Sequence, residues 1–105
     1  MNPNDSGTKR RFADLLQKMG KVEDAIAYYR QALIRKPDDP VLHNNIAVAL
    51  ASAGKEGEAV DHLRRALELK ADYGDARKNF DIMTKTIPSP VQGPDRGKDR
   101  KDSGR

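Results

Sequence analysis

The stretch that decides the fold is residues 13–36, ADLLQKMGKVEDAIAYYRQALIRK, because it returns 34 positions later as residues 47–70, AVALASAGKEGEAVDHLRRALELK. Between residues 6–39 and residues 40–73, ten positions are identical. Composition alone would give roughly two such identities. A self-similar segment of this length with a helix–turn–helix pattern predicts a solenoid of stacked hairpins rather than a compact enzyme.

Apolar residues spaced three and four apart predict that each unit is a pair of helices. Gly20 and Gly54 lie between the two helices of each pair, where the chain needs a left-handed residue. Pro37 ends the second helix, and Asp39 and Pro40 suit the start of the third. The five predicted helices span about 6–19, 22–36, 40–53, a stretch ending near 70, and 74–86.

The fifth helix differs from the first helix of each repeat on the face that a sixth helix would cover. Asp81 and Thr84 stand there in place of an alanine and a leucine. An unpaired carboxylate cannot lie against a packed helix, so this helix is expected to cap the array. The prediction is an all-α fold, an α-solenoid of two repeats with a capping helix. Its parts are the end of a preceding repeat or a leader at 1–5, repeat one at 6–39, repeat two at 40–73, the capping helix at 74–86, and a disordered tail at 87–105.

Composition and charge exclude several classes of function. The 105 residues contain no cysteine, which excludes a disulfide framework and a thiolate zinc site. A chain without cysteine fits a reducing cellular compartment well, but it fits other compartments too. The net charge of +4 is mild, and no basic patch with interleaved aromatics indicates nucleic-acid binding. No apolar run is long enough to span a membrane. Since no phosphate loop, nucleophile elbow or metal-ligand spacing is visible, we expect neither catalysis nor a cofactor.

At fixed positions, the repeat resembles the tetratricopeptide repeat family. The first unit has a small and a large residue in its first helix, Gly at the turn, two alanines around an aromatic, and a closing Pro. These are Ala13, Leu16, Gly20, Ala25, Tyr29, Ala32 and Pro37. The second unit matches five of these positions and departs at two, with Leu63 in place of the aromatic and Ala71 where Pro is usual. The resemblance covers about residues 3–86.

The resemblance implies that the first helices of successive pairs line a concave groove that binds peptides or partner proteins. The candidate binding residues on this face are Arg10, Arg11, Asp14, Asn44, Asn45, Val48, Ser52, Lys78, Asn79 and Ile82. Asn45 and Asn79 occupy equivalent sites, and a side-chain amide offers both donors and an acceptor to an extended backbone. They form either a short asparagine ladder or a pair of merely solvated residues. The cations Arg10, Arg11 and Lys78 favour an acidic ligand.

Other interpretations of the surface depend on single residues. Arg10, Asn45 and Lys78 resemble part of the family's carboxylate clamp for chaperone C-termini, but Asp14 and Asp75 would repel a terminal carboxylate. His43 and His62 are predicted to lie on different helices, and partial burial explains His43 better than a metal or a general base.

The leading hypothesis is a non-catalytic scaffold for a protein or peptide. One alternative is a fragment of a larger enzyme, for example a glycosyltransferase-like one, in which the repeats present substrate. A further alternative is self-association through helix one, where Phe12, Leu15 or Met19 is expected to be partly exposed. The turn-like residues at 2–5 also predict that the chain was cut from a longer array or has lost upstream repeats.

Overall fold

The structure is a computed structural model that describes residues 5–86. Residues 1–4 of the repeat end predicted at 1–5, and the disordered tail predicted at 87–105, lie outside the described residues. Within them the chain forms five helices and no strand: α1 (Ser6–Lys18), α2 (Val22–Arg35), α3 (Pro40–Ser52), α4 (Glu56–Leu69) and α5 (Gly74–Thr86). The all-α fold predicted from periodicity is confirmed. Four helices end one residue earlier than expected, which is the usual uncertainty at a fraying terminus.

Caps and turns fix where the helices begin and end. The Asp5 side chain accepts a hydrogen bond from the backbone N–H of Thr8, and the Asp39 side chain accepts from the backbone N–H groups of Val41 and Leu42. Gly20 and Gly54 both adopt φ of 81°, the left-handed conformation that the sequence predicted. Each hairpin therefore closes with the same local geometry.

Each helix packs against its neighbours along the chain, as an α-solenoid requires. The two hairpins are α1 with α2 and α3 with α4; α2 then packs on α3, and α4 on α5. Alanines at the crossings are fully buried and let the axes approach closely: Ala13, Ala25, Ala32, Ala47, Ala59 and Ala66. Larger side chains fill the space between, and Tyr29, Leu42, Ile46, Leu50 and Leu63 are the largest that are fully buried.

Helix α5 packs on α4 and the core through its apolar side chains. Ala76 is fully buried, and Phe80 and Met83 are half-buried against the core. The Arg64 guanidinium of α4 lies 6.0 Å from the centre of the Phe80 ring. Asp81 and Thr84 are exposed, and the Thr84 hydroxyl donates to the backbone carbonyl of Phe80. The outer side of α5 is therefore polar.

Candidate functional site

The first helices of the pairs share one side of the solenoid, because α1 contacts α3 and α3 contacts α5. We call this side the odd-helix face and define it by Asp14, Asn44, Asn45 and Asn79. It is the surface on which the sequence placed the candidate binding residues. The structure shows that these four side chains are not independent, because hydrogen bonds join them into one row.

The row begins at α1 and runs to α5. The Asp14 carboxylate accepts from the Tyr29 hydroxyl and, at 3.3 Å, from the Asn45 amide. The Asn44 amide lies 3.5 Å from Asn45 Oδ1, at the limit of a hydrogen bond. Asn79 Nδ2 donates to Asn44 Oδ1 at 3.0 Å. Side chains from four helices thus hold one another in place across the odd-helix face.

Two tyrosines anchor the row in the core. Tyr29 is almost fully buried, and burial, followed by its hydrogen bond to Asp14 and the charge of Asp14, raises the pKa of its hydroxyl above the ordinary value of 10.0. Burial, followed by the charge of Asp75, also raises the pKa of Tyr73, and the Asn44 side chain acts in the opposite direction without prevailing. Both hydroxyls therefore stay protonated at neutral pH and cannot act as bases there.

A cavity of about 420 Å³ lies beside the Asp14 end of the row. Its lining is Asp14, Gln17, Lys18, Tyr29, Asn45 and Val48. One wall therefore carries a carboxylate and an amide, while Lys18 supplies a cation and Val48 an apolar surface. A side-chain amide that makes one bond on each side keeps a second N–H and a second lone pair for a ligand.

The structure brings together some of the sequence-predicted residues and separates others. Asp14, Asn45 and Val48 meet at the cavity, and Asn44 and Asn79 extend the row. Arg10 is half-buried, and its charge acts on both Tyr29 and Tyr73. Among the described residues, the remaining four take no part in the row: Arg11, Ser52, Lys78 and Ile82, all exposed. The Ser52 hydroxyl donates to the carbonyl of Val48 within its own helix.

Asn44 differs from the expectation of an outward-facing residue. It is only 6% exposed, because α5 covers it and Asn79 bonds to its side chain. Sequence reasoning named Tyr29 only as the aromatic of the repeat motif and missed its hydroxyl as a partner of Asp14. The one signal in the sequence was the unusual pair Asn44–Asn45 on a helix that is otherwise mostly apolar.

The histidines also meet, on the other side of α3. His43 Nδ1 lies 3.0 Å from His62 Nδ1, and His43 Nε2 lies 2.7 Å from the carbonyl oxygen of Pro37. His43 is 8% exposed, so it is more buried than the sequence predicted. Within residues 5–86, no group of three or more His, Asp or Glu side chains is arranged to hold a metal ion.

The family model of the tetratricopeptide repeat matches residues 10–76, which is more than half of the chain. The chain therefore belongs to the tetratricopeptide repeat family, as the spacing of its alanines and glycines indicated.

Among curated proteins, the chain is similar to segments of much longer ones. Protein arginine N-methyltransferase 9 of Homo sapiens is 34% identical over 70 residues, 67% of this chain and 8% of that protein. The Hsp70-Hsp90 organising protein of Plasmodium falciparum is 35% identical over 73 residues, 70% of this chain and 29% of that protein. The peroxisomal targeting signal receptor of Candida albicans is 35% identical over 86 residues, 78% of this chain and 14% of that protein. The chain thus spans less than a third of each of these relatives.

None of the five helices in residues 5–86 has the length and hydropathy needed to cross a bilayer.

Proposed function

We propose that the odd-helix face binds an extended segment of a partner protein and that this chain has no catalytic part in that complex. The observation that carries the proposal is the hydrogen-bonded row from Asp14 to Asn79 beside a cavity of about 420 Å³. Two relatives support it by name, since one organises Hsp70 and Hsp90 and the other is a receptor for a targeting signal. The repeat boundaries 6–39 and 40–73 and the cap at 74–86 belong to this proposal.

The row favours a peptide main chain as the ligand. The Asn45 amide is held by Asp14 and Asn44, and the Asn79 amide by Asn44. Each amide keeps unused donor or acceptor capacity, and a peptide backbone carries both kinds of group. Because the row fixes these amides before binding, little side-chain freedom is lost when a ligand arrives. Val48 adds an apolar surface for a ligand side chain.

The charges near the face favour an acidic segment. Arg10, Arg11, Lys18 and Lys78 lie on α1 and α5, and the Asp14 carboxylate is already engaged by two donors. Attraction between these cations and ligand carboxylates speeds association and weakens as salt is added.

The test is binding of a labelled pool of short acidic peptides, measured by fluorescence anisotropy. We expect the Asn45→Ala, Asn79→Ala double variant to bind about tenfold more weakly, because it removes two net hydrogen bonds. Ser52→Ala is the matched control, since its hydroxyl bonds to its own helix, and it should bind like the wild type. Equal binding by the double variant and the wild type, with both folded by circular dichroism, would refute the role of the row.

A second candidate function is that of a substrate-presenting segment within a larger enzyme. The similarity to protein arginine N-methyltransferase 9 supports it, because that protein is named as an enzyme and the matching segment is 8% of its length. The full coding sequence of the transcript decides between the two: a catalytic domain in the same reading frame supports this candidate, and its absence rejects it.

A further inference from the structure

The two oxygens of the Asp14 carboxylate have different partners. Oδ1 accepts from both the Tyr29 hydroxyl and the Asn45 amide, whereas Oδ2 has no hydrogen-bond donor among residues 5–86. The Asp14 side chain is half-buried and lines the cavity of about 420 Å³. An ionised carboxylate accepts hydrogen bonds on both oxygens, so Oδ2 keeps its whole accepting capacity for a ligand.

The cations nearest to Asp14 along α1 do not pair with it. Arg10 and Lys18 lie one helical turn before and after it, a spacing at which opposite charges often meet. Within the described part of the chain, neither forms an ion pair with Asp14. The bonds to Tyr29 of α2 and Asn45 of α3 hold the carboxylate across the helices instead of along α1. A cationic group of a ligand can therefore pair with it.

The occupied oxygen decides which cation fits. A guanidinium binds a carboxylate best through two parallel N–H groups, one to each oxygen. Asp14 Oδ1 already accepts two bonds, which fills both of its lone pairs and blocks this bidentate arrangement. An ammonium group needs only one carboxylate oxygen, and its other N–H groups can go to separate acceptors. The site thus favours lysine over arginine.

Two further acceptors stand on the cavity wall. Gln17 Oε1 lies 3.4 Å from the Tyr29 hydroxyl, whose single hydrogen is donated to Asp14, so this oxygen remains available. Asn45 Oδ1 has only the contact of 3.5 Å with the Asn44 amide and keeps a second lone pair. Together with Asp14 Oδ2, these atoms give one acceptor for each N–H of an ammonium group.

The rest of the lining suits the alkyl part of a lysine. Val48 offers an apolar surface on which methylene groups can pack while the charged end reaches a polar partner. Lys18 is exposed, so its own ammonium group can stay in solvent. The cavity volume of about 420 Å³ leaves room for one lysine side chain.

We propose that this cavity takes one lysine side chain of the bound segment, with its ammonium group on Asp14 Oδ2 and its methylene groups against Val48. The inference rests on the proposed function, because it assigns one residue of the same ligand. It also gives that ligand a register on the odd-helix face. The lysine lies at the Asp14 end of the row, and acidic residues elsewhere in the segment face exposed cations such as Arg11 and Lys78.

The probes are three labelled acidic peptides with acetylated N-termini, identical except for a central lysine, arginine or norleucine. Acetylation leaves the central side chain as the one place for an ammonium group. By fluorescence anisotropy, the lysine peptide should bind the wild type about tenfold more tightly than the norleucine peptide, with the arginine peptide between them. This comparison uses the unaltered protein and so does not depend on the folding of a variant.

Two variants locate the preference on the protein. Asp14→Asn keeps an oxygen for Tyr29 and Asn45 but puts an amide donor in place of Oδ2, so the lysine and norleucine peptides should bind it alike. Asp24→Asn is the matched control, since it removes the same charge from an exposed position on α2. It should keep the full preference for lysine.

The outcomes separate this site from the proposed function. Equal binding of the lysine and norleucine peptides to the wild type overturns the lysine site but leaves peptide binding at the odd-helix face intact. A lysine preference that persists in folded Asp14→Asn, or tighter binding of the arginine peptide than of the lysine peptide, also overturns it. If none of the three peptides binds the wild type, the proposed function fails and the lysine site fails with it.

Discussion

The amide of Asn79 in α5 donates to the side-chain oxygen of Asn44 in α3 at a distance of 3.0 Å. This bond joins α5 to α3 on the odd-helix face. Since Asn44 is only 6% exposed, its polar side chain depends on partners within the protein. The bond therefore has a structural role in addition to the binding role that we propose for Asn79.

Replacing Asn44 by Ala should lower the free energy of unfolding by about 1–3 kcal/mol, because the change leaves the half-buried Asn79 amide without its partner. Urea denaturation followed by circular dichroism measures this. In a double-mutant cycle with Asn79→Ala, we expect a coupling energy of about 0.5–1.5 kcal/mol. Strictly additive single changes would show that the bond contributes nothing to stability.

The sequence predicted the helices well because their signals are local. Caps, glycine turns and apolar spacing act over a few residues, and the period of 34 residues repeats them. The row was less predictable because its members lie 31 and 35 residues apart and meet only after the helices have packed. Sequence equivalence paired Asn79 with Asn45, whereas the bond goes to the neighbouring Asn44. Side chains at adjacent positions on a helix point about 100° apart. The repeat period does not tell how far each helix is rotated about its own axis, so it could not decide between Asn44 and Asn45.

The histidine pair gives the fold a pH dependence. The carbonyl of Pro37 only accepts, so His43 Nε2 carries a proton, and in the neutral ring Nδ1 accepts from His62 Nδ1–H. Burial, followed by the charge of His43, lowers the pKa of His62 below its ordinary value of 6.5, and Arg30 lowers it further. Glu58 and Asp61 act in the opposite direction but do not prevail.

A group whose pKa is lowered on folding takes up protons more readily in the unfolded state. The stability that neutral His62 provides is therefore fully present above about pH 6.5 and is lost as the pH falls from there toward the folded pKa. We expect the urea midpoint to decrease over this window. His62→Gln should remove that part of the decrease, and identical pH profiles for wild type and variant would contradict the assignment.

The alanines at the helix crossings should tolerate no enlargement. Ala47 is fully buried where α3 meets its neighbours, so Ala47→Leu should cost about 1–3 kcal/mol of unfolding free energy by overpacking. Ala27 is an exposed alanine on α2, and Ala27→Leu should change stability by about 0.5 kcal/mol or less. Thermal and urea denaturation of the two variants separates the effect of overpacking at Ala47 from the effect of introducing a leucine as such.

Two glycines in the same region should respond in opposite ways to the same substitution. Gly54 turns the chain with φ of 81°, and Gly57 lies in α4; a Cβ at either position meets nothing within 4 Å. Gly54→Ala forces an L side chain into the left-handed region and should destabilise the protein by about 1 kcal/mol. Gly57→Ala should stabilise it by about 0.5–1 kcal/mol, because alanine loses less backbone freedom in a helix. Since neither change creates a steric clash, a shift of the urea midpoint in the same direction for both would show that backbone conformation does not set the turn.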